Sequence, residues 1–169
     1  YPEGGGLDSV ALFNKHHAHE YVLPFCSTLG VICCQTQFEQ DLLNNQTGNI
    51  DLYTDLTYSQ CKTHYKNATH VLDPVIGKHV PVFTSFQLRL SEDFYYIHFY
   101  KFLKRHMALF GFNGKRMRVR VIMVDFADAQ SLAIKRAFGM VDLESQGKHL
   151  NSDNTPDAEF HEHLRQAAL

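Results

Sequence analysis

Two segments of the chain carry a strand-like pattern that leads to an aspartate. Residues 50–58 alternate apolar and polar side chains through Asp55, and residues 118–125 form an apolar run that stops at Asp125. Alternation with a period of two is typical of a strand with one buried face. A helical pattern over residues 127–138 follows Asp125 at once. Functional carboxylates often lie at such strand ends, so these two aspartates are the first candidates for chemistry.

The remaining pattern predicts further strands and helices. Residues 7–21 are loosely helical, and Pro24 is expected to end that helix. Thr36 and Glu39 have the spacing of a capping box at the start of a helix that continues to residue 44. The other predicted elements are strands at 29–34, 71–76, 80–90 and 140–143, helices at 91–110 and 157–168, and loops at 59–70 and 144–155.

Prolines, glycines and one serine mark where several elements should bend, begin or stop. Pro74 and Pro81 lie in the predicted hairpin, so its strands should be edge strands or contain a bulge. Gly139 is expected to end the helix that follows Asp125. Ser91, with two acidic residues directly after it, is the expected N-cap of the long aromatic helix.

This order of elements predicts an α/β fold, a mixed β-sheet with helices on its faces. It is the order of the ribonuclease H-like layout, in which the first and fourth strands are neighbours. Asp55 and Asp125 would then come close although 70 residues separate them (125 − 55). Paired carboxylates suit two Mg²⁺ or Mn²⁺ ions about 4 Å apart, which promote phosphodiester chemistry.

Composition limits the class of protein without changing this architecture. The 169 residues, 44% of them hydrophobic, suit one domain with a short appendage. We divide the chain into a helical lead-in at 1–27, a core at 28–143, and a polar loop with a C-terminal helix at 144–169. No apolar run reaches the roughly 18 residues of a membrane span. The net charge of −2 argues against nucleic-acid binding by the whole surface, although not by a local patch.

The cysteines and the first residues bear on the cellular compartment. The four cysteines are Cys26, Cys33, Cys34 and Cys61. They form no CxxC pair, which indicates reduced, mostly buried thiols in a reducing compartment. Residues 1–6 lack the basic start and the apolar stretch of a signal peptide. Two glycosylation sequons, at Asn45 and Asn67, are the observations that favour secretion.

Asp55 and Asp125 also lie within longer motifs. Asp55-Leu56-Thr57-Tyr58 is one, and Val124-Asp125-Phe126-Ala127-Asp128-Ala129-Gln130, running on to Phe138, is another. Residues 31–43 and residues 79–103 supply two further stretches. In this order and spacing they resemble the catalytic core of Mutator-like element (MULE) transposases, eukaryotic members of the DDE group, and of host proteins derived from them. The match covers roughly residues 28–140.

The resemblance implies metal-dependent DNA strand cleavage and transfer, with Asp55 and Asp125 as catalytic ligands of Mg²⁺ or Mn²⁺. The family's third ligand is a glutamate that follows a Cys/His element and a long helical insertion, and neither of these follows Phe138 here. Glu162 is the candidate for the third position, and Glu159 on the same predicted helix is the other. The resemblance further implies DNA and a homo-oligomer as partners, no membrane, and a nuclear location.

Two more aspartates lie near the candidates in the sequence. Asp128 is interpreted as an acidic residue in the first turn of a helix, where it complements the helix dipole. Asp51 shares a strand face with Asp55, so it either supports the site or is solvated.

Other clusters offer different chemistry. Cys61, His64 and His70 look like half of a zinc site. A second cluster consists of His16, His17, His19 and Glu20. If this segment is helical, the cluster could bind a transition metal. A basic cluster is either a track for the DNA backbone or a solvated helix face. Its members are Lys101, Lys104, Arg105, Lys115, Arg116, Arg118 and Arg120.

Three hypotheses follow from these patterns. The first is a DDE-type transposase core of the MULE kind, complete, a fragment or a remnant. The second is a non-catalytic interaction domain on the same fold, which the near-neutral charge and the missing glutamate motif favour. The third is a small secreted or metal-binding protein, which rests on the histidines and the sequons.

Overall fold

The computed structural model describes residues 15–28, 30–57, 64–112, 116–125 and 128–147. Its strands are β1 (Tyr21–Thr28), β2 (Val31–Thr36), β3 (Ile50–Thr57), β4 (Tyr65–Asp73), β5 (Lys78–Gln87) and β6 (Val119–Met123). Its helices are α1 (Gln37–Asn44), α2 (Glu92–Arg105) and α3 (Asp128–Ser145), with short 3-10 turns at Ala18–Glu20 and Met107–Phe110. The strands form one sheet in the order β1-β2-β5-β4-β3-β6. The predicted mixed α/β fold is therefore confirmed as a six-stranded sheet flanked by helices.

The pairing of the sheet is antiparallel except at one position. β1, β2, β5, β4 and β3 pair antiparallel in that order, whereas β6 pairs parallel to β3. A parallel neighbour requires a crossover connection, and here the chain from β3 to β6 passes through β4, β5 and α2. β6, which comes late in the chain, consequently pairs with β3, the strand that comes before β4, β5 and α2.

Alternation along β3 gives the sheet two different faces. Leu52, Thr54 and Leu56 are buried, whereas Asp51 and Tyr53 between them are partly exposed. Thr54 Oγ1 hydrogen-bonds Thr69 Oγ1 on β4 at 3.1 Å, and Thr69 Oγ1 hydrogen-bonds His98 Nε2 on α2 at 2.9 Å. We call the face that carries Leu52, Thr54 and Leu56 the inner face, because α2 packs on it. The face that carries Asp51, Tyr53 and Asp55 is the outer face.

The helix α3 is longer than the sequence predicted. The predicted stop at Gly139 and the strand predicted at 140–143 are both wrong, because the helix continues to Ser145. Glycine inside a helix costs about 1 kcal/mol relative to alanine. Burial offsets that cost: Ala133, Ala137 and Val141 lie four residues apart and are each fully buried. The loop and the helix predicted beyond residue 147 lie outside the described residues.

The strand β1 was not predicted. The helix expected over residues 7–21 is described only from residue 15, and from Tyr21 the chain is extended. Pro24 lies inside this strand rather than at the end of a helix. β1 is at the edge of the sheet, where a missing backbone donor is tolerated, and its register with β2 shifts between Leu23 and Cys26. The described residues 15–20 are helical as predicted, and the helix ends before Tyr21 rather than at Pro24.

The hairpin of β4 and β5 agrees with the prediction in part. β4 begins at Tyr65, six residues before the predicted strand start at residue 71 (71 − 65), so half of the predicted loop is strand. The register of the pair shifts between Thr69 and His70, where Pro81 pairs with His70, and this irregularity is the expected bulge. Both strands lie in the interior of the sheet and not at an edge. Pro74 belongs to the turn between them.

The helix α2 and the turn after it match the predicted helix at 91–110. Ser91 is its N-cap residue, although its side chain makes no capping hydrogen bond. The chain ends the following 3-10 turn at Gly111, whose φ of 79° is in the left-handed region that glycine adopts without strain. Among the described residues no helix is both long and apolar enough to cross a membrane.

The capping box of α1 is present as predicted. Thr36 Oγ1 accepts a hydrogen bond from the backbone N–H of Glu39 at 3.2 Å, and Glu39 Oε2 accepts one from the backbone N–H of Thr36 at 2.7 Å. These two bonds satisfy donors that the first turn of a helix leaves unpaired. They stabilise the start of α1 directly after β2 ends at Thr36.

Thr36→Ala should lower the free energy of unfolding by about 1 kcal/mol, because the backbone N–H of Glu39 loses its acceptor. Urea denaturation measures the change. Thr36→Ser is the matched control, since it keeps the hydroxyl and should lose clearly less. Equal losses in both variants would mean that the methyl group, and not the cap, carries the effect.

Candidate functional site

Asp55 lies on β3 and points away from the core. It is exposed, and both of its neighbours in the strand, Thr54 and Leu56, are buried on the inner face. Its partner on β4 is Ala68. The predicted strand that delivers this carboxylate to the surface is therefore confirmed, and the carboxylate is on the outer face.

Asp125 follows β6 by two residues and is exposed. The last paired residues of the two parallel strands are Tyr53 on β3 and Met123 on β6. Asp55 lies two residues further along β3 (53 + 2), and Asp125 lies two residues past the end of β6 (123 + 2). Val121 and Met123 are exposed, whereas Ile122 and Val124 pack against the core. This alternation puts Asp125 on the outer face with Asp55.

Asp55 and Asp125 are the two carboxylates of the predicted Mg²⁺ or Mn²⁺ site. In the part of the chain that the structure describes, neither carboxylate forms a salt bridge with lysine or arginine. Mg²⁺ is commonly held by one or two carboxylates together with waters and phosphate oxygens. Carboxylate oxygens, which both Asp55 and Asp125 present, are among the ligand atoms that Mg²⁺ and Mn²⁺ prefer.

A third protein ligand is not found among the described residues, where no group of three or more His, Cys, Asp or Glu side chains is arranged to hold a metal. Glu159 and Glu162, the candidates for the third carboxylate, lie outside the described residues. Asp128 is the first residue of α3 and is exposed, as expected of an acidic residue in a first helical turn.

Asp51 is held by an arginine of the neighbouring strand. Arg120 Nε donates a hydrogen bond to Asp51 Oδ1 at 2.9 Å, and Arg120 Nη2 donates to Asp51 Oδ2. The bond from Arg120 lowers the pKa of the Asp51 carboxyl. Asp51 is thus not merely solvated, since its bidentate bridge with Arg120 connects β3 to β6.

Three side chains near Asp55 were not assigned to this site from the sequence. His70 is the cross-strand partner of Tyr53, and the rings of Tyr53 and His79 meet edge to face with their centroids 4.2 Å apart. Burial lowers the pKa of His70, while the Asp55 carboxylate acts in the opposite direction. The predicted half of a zinc site combines His70 with His64 and Cys61, and Cys61 lies outside the described residues. The alternation of β4 is the signal that puts His70 on the outer face.

Four side chains of the basic cluster form salt bridges or hydrogen bonds with other residues of the protein. Lys104 pairs with Glu144, and Arg120 pairs with Asp51. Arg105 donates to Gln35 Oε1 at 3.1 Å and to Gln40 Oε1 at 2.8 Å, and Arg118 donates to the carbonyl oxygens of Gln46 and Gly48. Most of these cations hold elements together, which weakens the interpretation of the cluster as a track for DNA.

The histidine cluster, the cysteines and an apolar groove are the remaining features considered as sites. His17 Nδ1 is 2.9 Å from Glu20 Oε1, an exposed contact between residues three apart. Cys33 and Cys34 are buried, as predicted for most of the cysteines. An apolar groove of about 420 Å³ between β6 and α3 is lined by Val119, Ile122, Ile134, Phe138 and others, and it contains neither candidate aspartate.

No protein-family model, no curated protein and no solved structure matches the chain.

Proposed function

We propose that this chain is a fragment or remnant of a DDE-type transposase core, which uses Asp55 and Asp125 for metal-dependent DNA strand cleavage and transfer. The observation that carries the proposal is the parallel register of β3 and β6, whose last pair, Tyr53 and Met123, lies two residues before Asp55 and Asp125. The resemblance of the surrounding motifs to MULE transposases supports it. On this proposal the protein acts in the nucleus, on DNA.

The strand order supports a ribonuclease H-like core. β3, β4 and β5 follow one another antiparallel, α2 comes next, and β6 returns beside β3 in parallel. Counted from β3, the first strand (β3) and the fourth strand (β6) are therefore neighbours, as the ribonuclease H-like layout requires. β1 and β2 extend the sheet on the far side of β5.

The proposed chemistry gives each group one task. Asp55 and Asp125 would hold Mg²⁺ or Mn²⁺, and the bound ion would supply activation of a water or 3′-hydroxyl and stabilisation of the leaving oxygen. The bridge between Arg120 and Asp51 keeps β6 in register with β3, so that both carboxylates stay on the outer face. Glu162 is proposed as the third acid.

Mn²⁺ should bind at the Asp55–Asp125 pair. We expect the paramagnetic ion to broaden the NMR signals of the amides next to these two residues first. Asp55→Asn and Asp125→Asn should each weaken binding at least about tenfold, since even lost outer-sphere partners of a metal site cost 10–100-fold. Isothermal titration calorimetry gives the affinities.

Asp41→Asn is the matched control, because Asp41 is an exposed aspartate on α1, away from β3 and β6. It should leave the affinity for Mn²⁺ unchanged. Absence of binding, or binding that both Asp55→Asn and Asp125→Asn leave untouched, would contradict the proposal and favour the non-catalytic interaction domain. Cleavage of DNA by the chain in Mn²⁺ then separates an active core from a remnant that only binds the ion.

A further inference from the structure

Two amide side chains in the core lack hydrogen-bond partners. Asn67 on β4 and Gln87 on β5 are both fully buried, with no exposed surface. The side-chain nitrogen and oxygen of each residue have no hydrogen-bond partner in the structure. Buried side-chain amides in native proteins are nearly always hydrogen-bonded, to protein atoms or to ordered water. These four unpaired atoms therefore call for an occupant that the protein atoms do not supply.

The two amides are neighbours on the inner face. Asn67 pairs with Ser85 across the β4–β5 ladder, and Gln87 pairs with Tyr65 two residues further on. Alternation places Asn67 on the same face as Thr69, which bonds to His98. Diagonal positions of this kind have Cβ atoms about 7–8 Å apart, within reach of a single bridging molecule.

A third polar group completes the surroundings. Ser85 Oγ hydrogen-bonds His98 Nδ1 at 2.8 Å, and a hydroxyl that makes one hydrogen bond has capacity for another. Ser85 lies directly opposite Asn67. A molecule between the two amides would thus meet three polar side chains, the usual number of hydrogen bonds of a buried water.

We propose that Asn67, Gln87 and Ser85 enclose an internal binding site for ordered water. The unpaired atoms include two amide N–H₂ groups and two carbonyl oxygens, so the ligand must both donate and accept hydrogen bonds. A metal cation would satisfy only the oxygens, and an anion only the nitrogens. Water satisfies both kinds, and it extends the polar chain from Thr54 through Thr69, His98 and Ser85.

NMR of the wild-type protein tests the site. Cross-peaks between water and the side-chain amide protons of both Asn67 and Gln87, with the sign of a long-lived bound water, are expected. ¹⁷O relaxation dispersion should show at least one buried water that Asn67→Leu with Gln87→Met abolishes, because this nearly isosteric pair of changes removes all four unpaired atoms. Gln37→Met, on an exposed side chain of α1, should keep the signal.

Direct contact between the amides is the competing arrangement. Cross-peaks between the side-chain amide protons of Asn67 and Gln87, without any to water, would overturn the proposal. The wild-type measurement decides this by itself, so the result stands even if the double variant does not fold.

Discussion

Acidification from about pH 7.5 to about pH 4.5 should lower the free energy of unfolding by on the order of 5 kcal/mol, because two imidazoles are buried in their neutral form. Burial lowers the pKa of His98 from 6.5 to about 3 and that of His106 from 6.5 to about 4. His98 lies between Ser85 and Thr69, and His106 Nε2 is 3.0 Å from Gln35 Nε2. Both histidines belong to the polar interior under α2.

The sign of the effect follows from the protons bound by each state. Below pH 6.5 the unfolded chain protonates both imidazoles, whereas the folded protein keeps them neutral. The unfolded state then binds more protons, so acid favours it. The stability is fully present above pH 6.5 and is lost progressively down to the folded pKa, near 4 for His106 and near 3 for His98. Each imidazole contributes about 1.4 kcal/mol per pH unit within its window.

Urea denaturation at a series of pH values measures the slope. His98→Gln combined with His106→Gln should remove most of it between about pH 6.5 and about pH 4.5, because glutamine does not titrate. His16→Gln changes an exposed histidine and should leave the slope unchanged. An undiminished slope in the double variant would assign the acid sensitivity to other groups.

Phe102→Ala should destabilise the fold by about 3–5 kcal/mol, the largest loss we expect from a single substitution at neutral pH. The side chain is 1% exposed. Its ring lies 5.4 Å from that of Phe83 on β5, 5.2 Å from that of His106 and 5.7 Å from that of Phe110. Truncation leaves a cavity where α2, the sheet and the following 3-10 turn meet, and these aromatic partners cannot close it.

Thermal unfolding of this 169-residue chain should show the loss as a fall in Tm of roughly 6–20 °C. Phe38→Ala is the matched control: Phe38 is 65% exposed on α1, and its removal should change stability by less than about 0.5 kcal/mol. Phe102→Leu keeps most of the volume and should fall between the two. Similar losses for Phe102→Ala and Phe38→Ala would contradict the burial argument.

The strands that carry the candidate site could be predicted because their own patterns specify them. β3 alternates buried and exposed residues along its length, and this period of two requires no knowledge of its neighbours. The capping box of Thr36 and Glu39 is likewise local. Asp55 and Asp125 were predicted to meet from the order of the elements, and the register of β3 with β6 supports that prediction.

Features that depend on distant partners were not predicted. In the sequence Arg120 is one member of a basic cluster. Its bridge to Asp51 depends on the pairing of β6 with β3, whose register shifts between Ile50 and Asp51. His98 lies within an aromatic helix, and its hydroxyl partners come from two different strands. Gly139 is a residue type that often ends helices, yet the helix continues past it, and Val141 beyond it is buried. Local propensity is outweighed by tertiary packing in each case.

The parallel pairing of β6 also has a consequence for the order of folding. β3, β4 and β5 are consecutive antiparallel strands with short sequence separation, whereas Ile50 pairs with Val119 across most of the core. Contacts of long sequence separation form against a large loop-closure entropy, so β6 should dock after the antiparallel strands. On the function proposed above, Asp125 would therefore reach Asp55 only in the nearly native chain. An ion bound by both carboxylates would bind the folded state alone, and it would slow unfolding by holding the last strand to dock.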